Sequence, residues 1–160
     1  MSASGLEVFD KTLQTTHIWL DEIMAELGPD RHVAWHVLGA VLRTLRDRVP
    51  LGLAAHFGSQ LPLLVRGAYY DQWVPRDKPL ELRSADEFLE HVSHGLTNIR
   101  PVNAKAAVQA TFATISRHVD PGQVRKIRDA LPNDVKAMWS DGGAAATEQM
   151  QPARAGGRGR

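Results

Sequence analysis

From Leu6 onward, apolar residues recur three and four positions apart, the spacing of helices that bury one side. Leu13, Leu20, Met24 and Leu27 form such a stripe, widened by Trp19 and Ile23, and predict a first helix from about Leu6 to Leu27. Gly28-Pro29 stops it, because Gly accepts a left-handed cap and Pro cannot continue the ladder. Asp30 then caps a second helix over about Arg31 to Arg48. Here Leu38, Leu42, Leu45 and Val49 make one stripe, and Val33, Val37, Ala40 and Thr44 a second. Only His32, His36, Gly39, Arg43, Arg46 and Asp47 are left for a polar strip, so this helix is expected at the centre, with neighbours on both flanks.

A short helix is predicted near Leu51 to Gly58, and another from about Pro62, where Pro suits the first helical position. Two prolines and mixed charge mark Val74 to Arg83 as a linker. Ser84-Ala-Asp-Glu87 reads as a capping box that opens a fifth helix carrying Phe88, Leu89, Val92 and Leu96. A sixth helix is predicted over about Ala104 to His118. Asp120-Pro121 starts a seventh, and Pro132 an eighth ending near Trp139, with Asn133 and Asp134 in its first turn.

The pattern occurs twice. With an offset of 70, residues 34–69 and 104–139 share eight identities in 36 positions, without a gap. Val49 meets Val119, Gly52 meets Gly122, Leu61-Pro62 meets Leu131-Pro132, Val65 meets Val135, and Tyr69 meets Trp139. Phe88, Leu89, Val92 and Leu96 echo Trp19, Leu20, Ile23 and Leu27 at an offset of 69. The expected fold is all-α, two pseudo-repeats of about four helices packed into one helical domain. The organisation is a loose N-terminus (1–6), repeat one (7–73), the linker (74–83), repeat two (84–140) and a disordered tail (141–160).

The residues that carry the repeat also resemble a bacterial family catalogued as domain of unknown function 2267, in two tandem copies. They are Leu42, Leu45, Val49, the Gly52 turn and Gln60-Leu61-Pro62 before Val65. In the second half they are Phe88-Leu89 with Val92, Val119 with Gly122, and Ala130-Leu131-Pro132 before Val135 and Trp139. The resemblance implies an all-helical fold. Its motif residues are packing and turn residues, and it brings no catalytic residues to this chain.

Composition narrows the classes. The 160 residues contain no cysteine, which removes disulfide and thiolate chemistry and fits a reducing cytoplasm. A net charge of +1 supplies no broad field for a nucleic-acid backbone, and the arginines of the tail, Arg154, Arg158 and Arg160, are too few to change that. The first ten residues lack the pattern of a secretory signal, and no apolar run is long enough to span a bilayer. No nucleophile–base pair, phosphate loop or carboxylate pair is evident, so an enzyme is the least supported reading and no cofactor is expected.

Residues common to both halves are explained by the fold both need, so function is expected where the halves differ. The first such place is Arg66 to Trp73, where Arg66, Tyr69, Tyr70 and Trp73 offer the side-chain types that dominate interface hot spots, with Arg43 near on helix two. A core role for Tyr69 and Trp73, four apart, is the competing reading. The second is histidine: His32 and His36, also four apart, could share a metal with His17 and Asp21 across the helical hairpin, although a solvated face explains them more simply. The Leu45-Arg46-Asp47-Arg48 run is expected to face solvent at a helix end. His91 and His94 are expected on the surface, as is Glu22. The reading that follows is a non-enzymatic interaction or regulatory module with a protein partner, with a small-molecule or metal-binding helical protein as the alternative; oligomeric state stays open.

Overall fold

A computed structural model of the protein describes residues 3–140; the expected tail, 141–160, lies outside the described residues. Those residues form eight α-helices: α1 (Glu7–Leu27), α2 (Arg31–Arg48), α3 (Leu51–Ser59), α4 (Leu63–Tyr70), α5 (Ala85–His94), α6 (Ala104–His118), α7 (Pro121–Asp129) and α8 (Asn133–Lys136). The fold is all-helical, as the periodicity implies.

The caps explain the boundaries. Asp30 accepts from the Val33 N–H at 3.2 Å, Asn103 from Ala106 at 2.9 Å and Asp120 from Gln123 at 3.2 Å, each satisfying an N–H that no earlier turn can reach. Ser84 accepts from Glu87 N–H at 3.1 Å, but the Glu87 carboxylate returns to Arg83 N–H at 2.8 Å, one residue before the position a capping box uses. Pro62 and Pro132 stand at the N-cap rather than inside the helix, with nearly equal dihedrals, φ −57° and ψ 152° against φ −56° and ψ 151°. Gly28 closes α1 at φ 111°, a value that only glycine adopts without strain.

Packing places α2 at the centre, against α1, α3, α4, α5 and α6. Reciprocity marks the rest: α1 of the first half lies on α6 of the second, α5 of the second lies on α2 of the first, and the equivalent pairs α2–α6 and α3–α7 touch each other. One core therefore draws on both halves. Val49, Leu61, Val65 and Tyr69 are buried, and so are Val119, Leu131, Val135 and Trp139 at the same offsets.

The halves differ in several helix bounds: α2, for one, begins at Arg31 where the offset of 70 from Ala104 gives Ala34. With the offset of 69, the start of α5 at Ala85 corresponds to Thr16, so Glu7–Thr15 of α1 overhang without a helical counterpart. α4 runs on to Tyr70, whereas α8 stops at Lys136.

Candidate functional site

Three arginines that sequence alone leaves on the surface turn inward instead, and each does the same job. The last carbonyls of a helix have no partner within it. Arg66 donates to the carbonyls of Gly58 (3.1 Å), Ser59 (3.2 Å) and Leu61 (3.0 Å), closing α3. Arg43 donates to Ala68 O at 3.1 Å, and Arg46 to Tyr69 O at 2.8 Å and Asp71 O at 2.9 Å, closing α4. Arg43 lies flat along α2 because Gly39 carries no Cβ, which would stand 2.7 Å from its guanidinium. Burial, and then the charge of Arg46, lowers the pKa of Arg43, against the opposing pull of Asp71 and Asp47.

The expectation that Arg46 and Asp47 face solvent is corrected. They are 4% and 7% exposed and pair through two contacts, Nε to Oδ1 at 2.8 Å and Nη2 to Oδ2 at 3.2 Å. The reason is that α4 and the linker fold back over this end of α2. Leu80 N–H donates to the Asp47 carbonyl at 2.7 Å, and Arg48 Nε to the Leu82 carbonyl at 2.9 Å. The matching positions of α6 are Ser116, Arg117 and His118. There Ser116 accepts from Trp139 Nε1 at 2.7 Å, while Arg117 and His118 reach Glu22 of α1 at 3.3 and 2.8 Å. Glu22, read from sequence as a solvated charge, thus ties α1 to α6.

The aromatic cluster divides. Tyr69 is fully buried, its hydroxyl donating to Ala54 O at 2.6 Å and its ring edge-on to Phe57, so it is a core residue and not part of a surface. Burial, and then Tyr70, drives the pKa of its phenol far above the usual tyrosine value. Tyr70 is half-buried and donates to Ala55 O at 2.8 Å; its ring lies where a side chain on Gly58 would be. Trp73 packs on Tyr70 with ring centroids 5.5 Å apart, and its buried indole N–H has no hydrogen-bond partner among the described residues.

His32 and His36 do meet, edge to face at 4.4 Å. Nevertheless, among the described residues no three His, Asp or Glu side chains are grouped to hold a metal ion, so His17 and Asp21 do not complete that pair. Desolvation, then His32, then Arg43 lower the pKa of His36. His91 is half-buried rather than on the surface. Its Nδ1 lies 3.0 Å from Thr44 Oγ1, whose own proton goes to Ala40 O at 2.8 Å, so Nδ1 is the donor and Nε2 is left as the basic nitrogen.

A cavity of about 340 Å³ lies between the end of α1 and α6, and a groove of about 350 Å³ lies between the overhang of α1 and the start of α4. Val8, Lys11, Thr12 and Thr15 form one wall; Leu61, Pro62, Leu63 and Arg66 lie on the other, with Ser59 and Gln60 at the rim. Thr12 Oγ1 closes the floor by accepting from Leu64 N–H at 3.3 Å. Val8 and Leu63 are 57% and 50% exposed, and Phe9 and Leu13 of the same overhang are 48% and 45% exposed. Sequence reading passed over this wall because the apolar stripe it followed on α1, from Leu13 to Leu27, does not include Val8, and nothing local shows that α1 lies beside the start of α4.

The sequence model of a family described as "Uncharacterized conserved protein (DUF2267)" matches residues 16–138. No curated protein matches the chain. The wall of the groove from Ser59 to Arg66 falls inside the matched span and the wall from Val8 to Thr15 before it. No helix among the described residues is long and apolar enough to cross a membrane.

Proposed function

We propose, from the premise that the chain belongs to the DUF2267 family, that it is a non-enzymatic helical interaction module built from two copies of one four-helix unit. Helix boundaries that recur at fixed offsets and the reciprocal packing of α1 on α6 and α5 on α2 support the duplication. Cysteine-free composition fits work in a bacterial cytoplasm.

One observation carries the functional reading. The first copy adds a helical overhang that the second lacks, and the overhang leaves large apolar side chains in solvent beside a groove. Exposing Val8 and Leu63 on the two walls of the groove stabilises nothing in the isolated chain, since each is about half exposed and would gain about 1 kcal/mol from the burial that remains. Clustered exposed apolar groups mark surfaces that are covered in use. The arginine clamps and the Tyr69 core make the groove wall rigid, so little ordering is needed when a peptide segment enters.

Selection of displayed peptides on the purified protein, counter-selected on a Val8→Asp variant, tests the reading. Val8 is exposed, so that variant keeps the fold. Peptides that bind the native chain and lose about tenfold or more in affinity on Val8→Asp are the expected result. Failure to enrich any Val8-dependent peptide would sink the module reading.

A further inference from the structure

We infer that the occupant of the groove is an acidic peptide segment, one carrying a carboxylate among apolar side chains; this rests on the groove being the interaction site. The argument is charge complementarity. Two cations, Lys11 and Arg66, line the groove, and no Asp or Glu does. The Lys11 ammonium is exposed and makes no ion pair or hydrogen bond among the described residues. Arg66 uses Nε and Nη2 on the carbonyls that close α3, and its Nη1 has no partner among the described residues.

The geometry makes Arg66 a better anchor than a free surface arginine. Three carbonyls from one chain end hold its guanidinium, so it has already lost the rotamer freedom that a mobile side chain gives up on binding. A carboxylate received there meets a planar, charged donor in a fixed place. Lys11 adds a second, mobile positive charge from the opposite wall. Val8, Leu61, Pro62 and Leu63 supply the apolar surface between them, which selects an acidic segment with a greasy side over a purely charged one. A basic segment would set like charges together on both walls.

The same peptide selection, read for composition, tests the inference. Val8-dependent peptides are expected to be enriched in Asp or Glu next to Leu, Ile, Val or Phe. Measured by fluorescence anisotropy with the strongest selected peptide, Lys11→Glu should weaken binding by about tenfold and added salt should weaken it further. Replacing the peptide's carboxylates by amides should cost a similar factor. Lys11 is exposed and holds nothing, so its variant stays folded. Peptides that depend on Val8 but show no acidic bias, or bind Lys11→Glu as well as the native chain, would overturn the inference and leave the module reading standing. No Val8-dependent peptide at all would overturn both.

Discussion

Arg46 Nη1 sits 2.8 Å from the carbonyl of Tyr69, joining the last turn of the central helix α2 to the end of α4. The contact is the hub of a buried clamp: Asp47 neutralises the guanidinium, Asp71 O shares it, and the linker closes over both. The second half has Ser116 in place of Arg46, where it accepts from Trp139 Nε1, and its last helix, α8, stops at Lys136. The extended end of α4 and the buried Arg46 thus occur together in the first half.

Arg46→Met should destabilise the fold by about 3–5 kcal/mol, because it leaves the Asp47 charge buried without its partner. The double variant Arg46→Met, Asp47→Leu should cost less than the single one, since an apolar pair needs no compensation. Urea unfolding of the two variants checks this. Equal losses would mean that the carbonyl contacts to Tyr69 and Asp71, and not the ion pair, set the cost.

Tyr69→Phe removes the hydroxyl that donates to Ala54 O at 2.6 Å. That carbonyl is inside α3 and keeps its helical bond, so the expected loss is modest, about 1 kcal/mol. The pH dependence is sharper. The folded phenol has its pKa raised, chiefly by burial, above the unfolded value of about 10. The unfolded chain releases that proton first, so the contribution is complete below pH 10 and falls as pH rises beyond it. Ultraviolet absorbance should show one of the chain's two tyrosines ionising only as the protein unfolds.

Much of this fold was legible in the sequence, and the reason is local. Stop signals such as Gly28-Pro29 and caps such as Asp30, Ser84 and Asp120 act within one turn, so α2 and α6 begin and end where the pattern put them. The central place of α2 followed from its two apolar stripes. The burial of Arg46 and Asp47 is not legible because nothing within four residues of them tells that α4 and the linker return there; the carbonyls that Arg46 donates to, Tyr69 O and Asp71 O, lie more than twenty residues away. Tyr69 was legible as core only as the competing reading, from its spacing of four to Trp73 and its match to the buried Trp139. The extra length of α1 over α5 was legible, but the groove was not, since it depends on α1 packing beside the start of α4, about fifty residues further along the chain.

Gly58→Ala should be costly for a reason outside its own helix. Glycine normally weakens a helix relative to alanine by about 1 kcal/mol, so propensity alone predicts a gain. A Cβ at Gly58, however, would run into the ring and hydroxyl of Tyr70. The expected result is a net loss of about 1–3 kcal/mol, with Tyr70 displaced from Ala55 O. In the background of Tyr70→Ala the same substitution should be neutral or stabilising. Thermal unfolding of the four-member cycle checks the coupling; additive effects would place the conflict elsewhere.

His91 is one of two histidines, with His36, whose pKa burial lowers, and it is the more deeply placed of them against Thr44. Burial is the main cause that lowers its pKa below the usual histidine value; His94, Lys78 and Arg46 add to it, and Asp47 opposes it. A folded pKa below the unfolded one means that the unfolded chain takes up the proton more readily. The contribution of neutral His91 is thus present above about pH 6.5 and is lost as pH falls through its folded pKa. Native stability should decline on acidification from neutral pH, and His91→Gln, which keeps a donor for Thr44, should decline less steeply over the same range. Denaturant unfolding at a series of pH values, with the His91 ring followed by NMR, measures both. A His91 that titrates at or above the usual value, or an unchanged slope in the variant, would assign the acid sensitivity to another group.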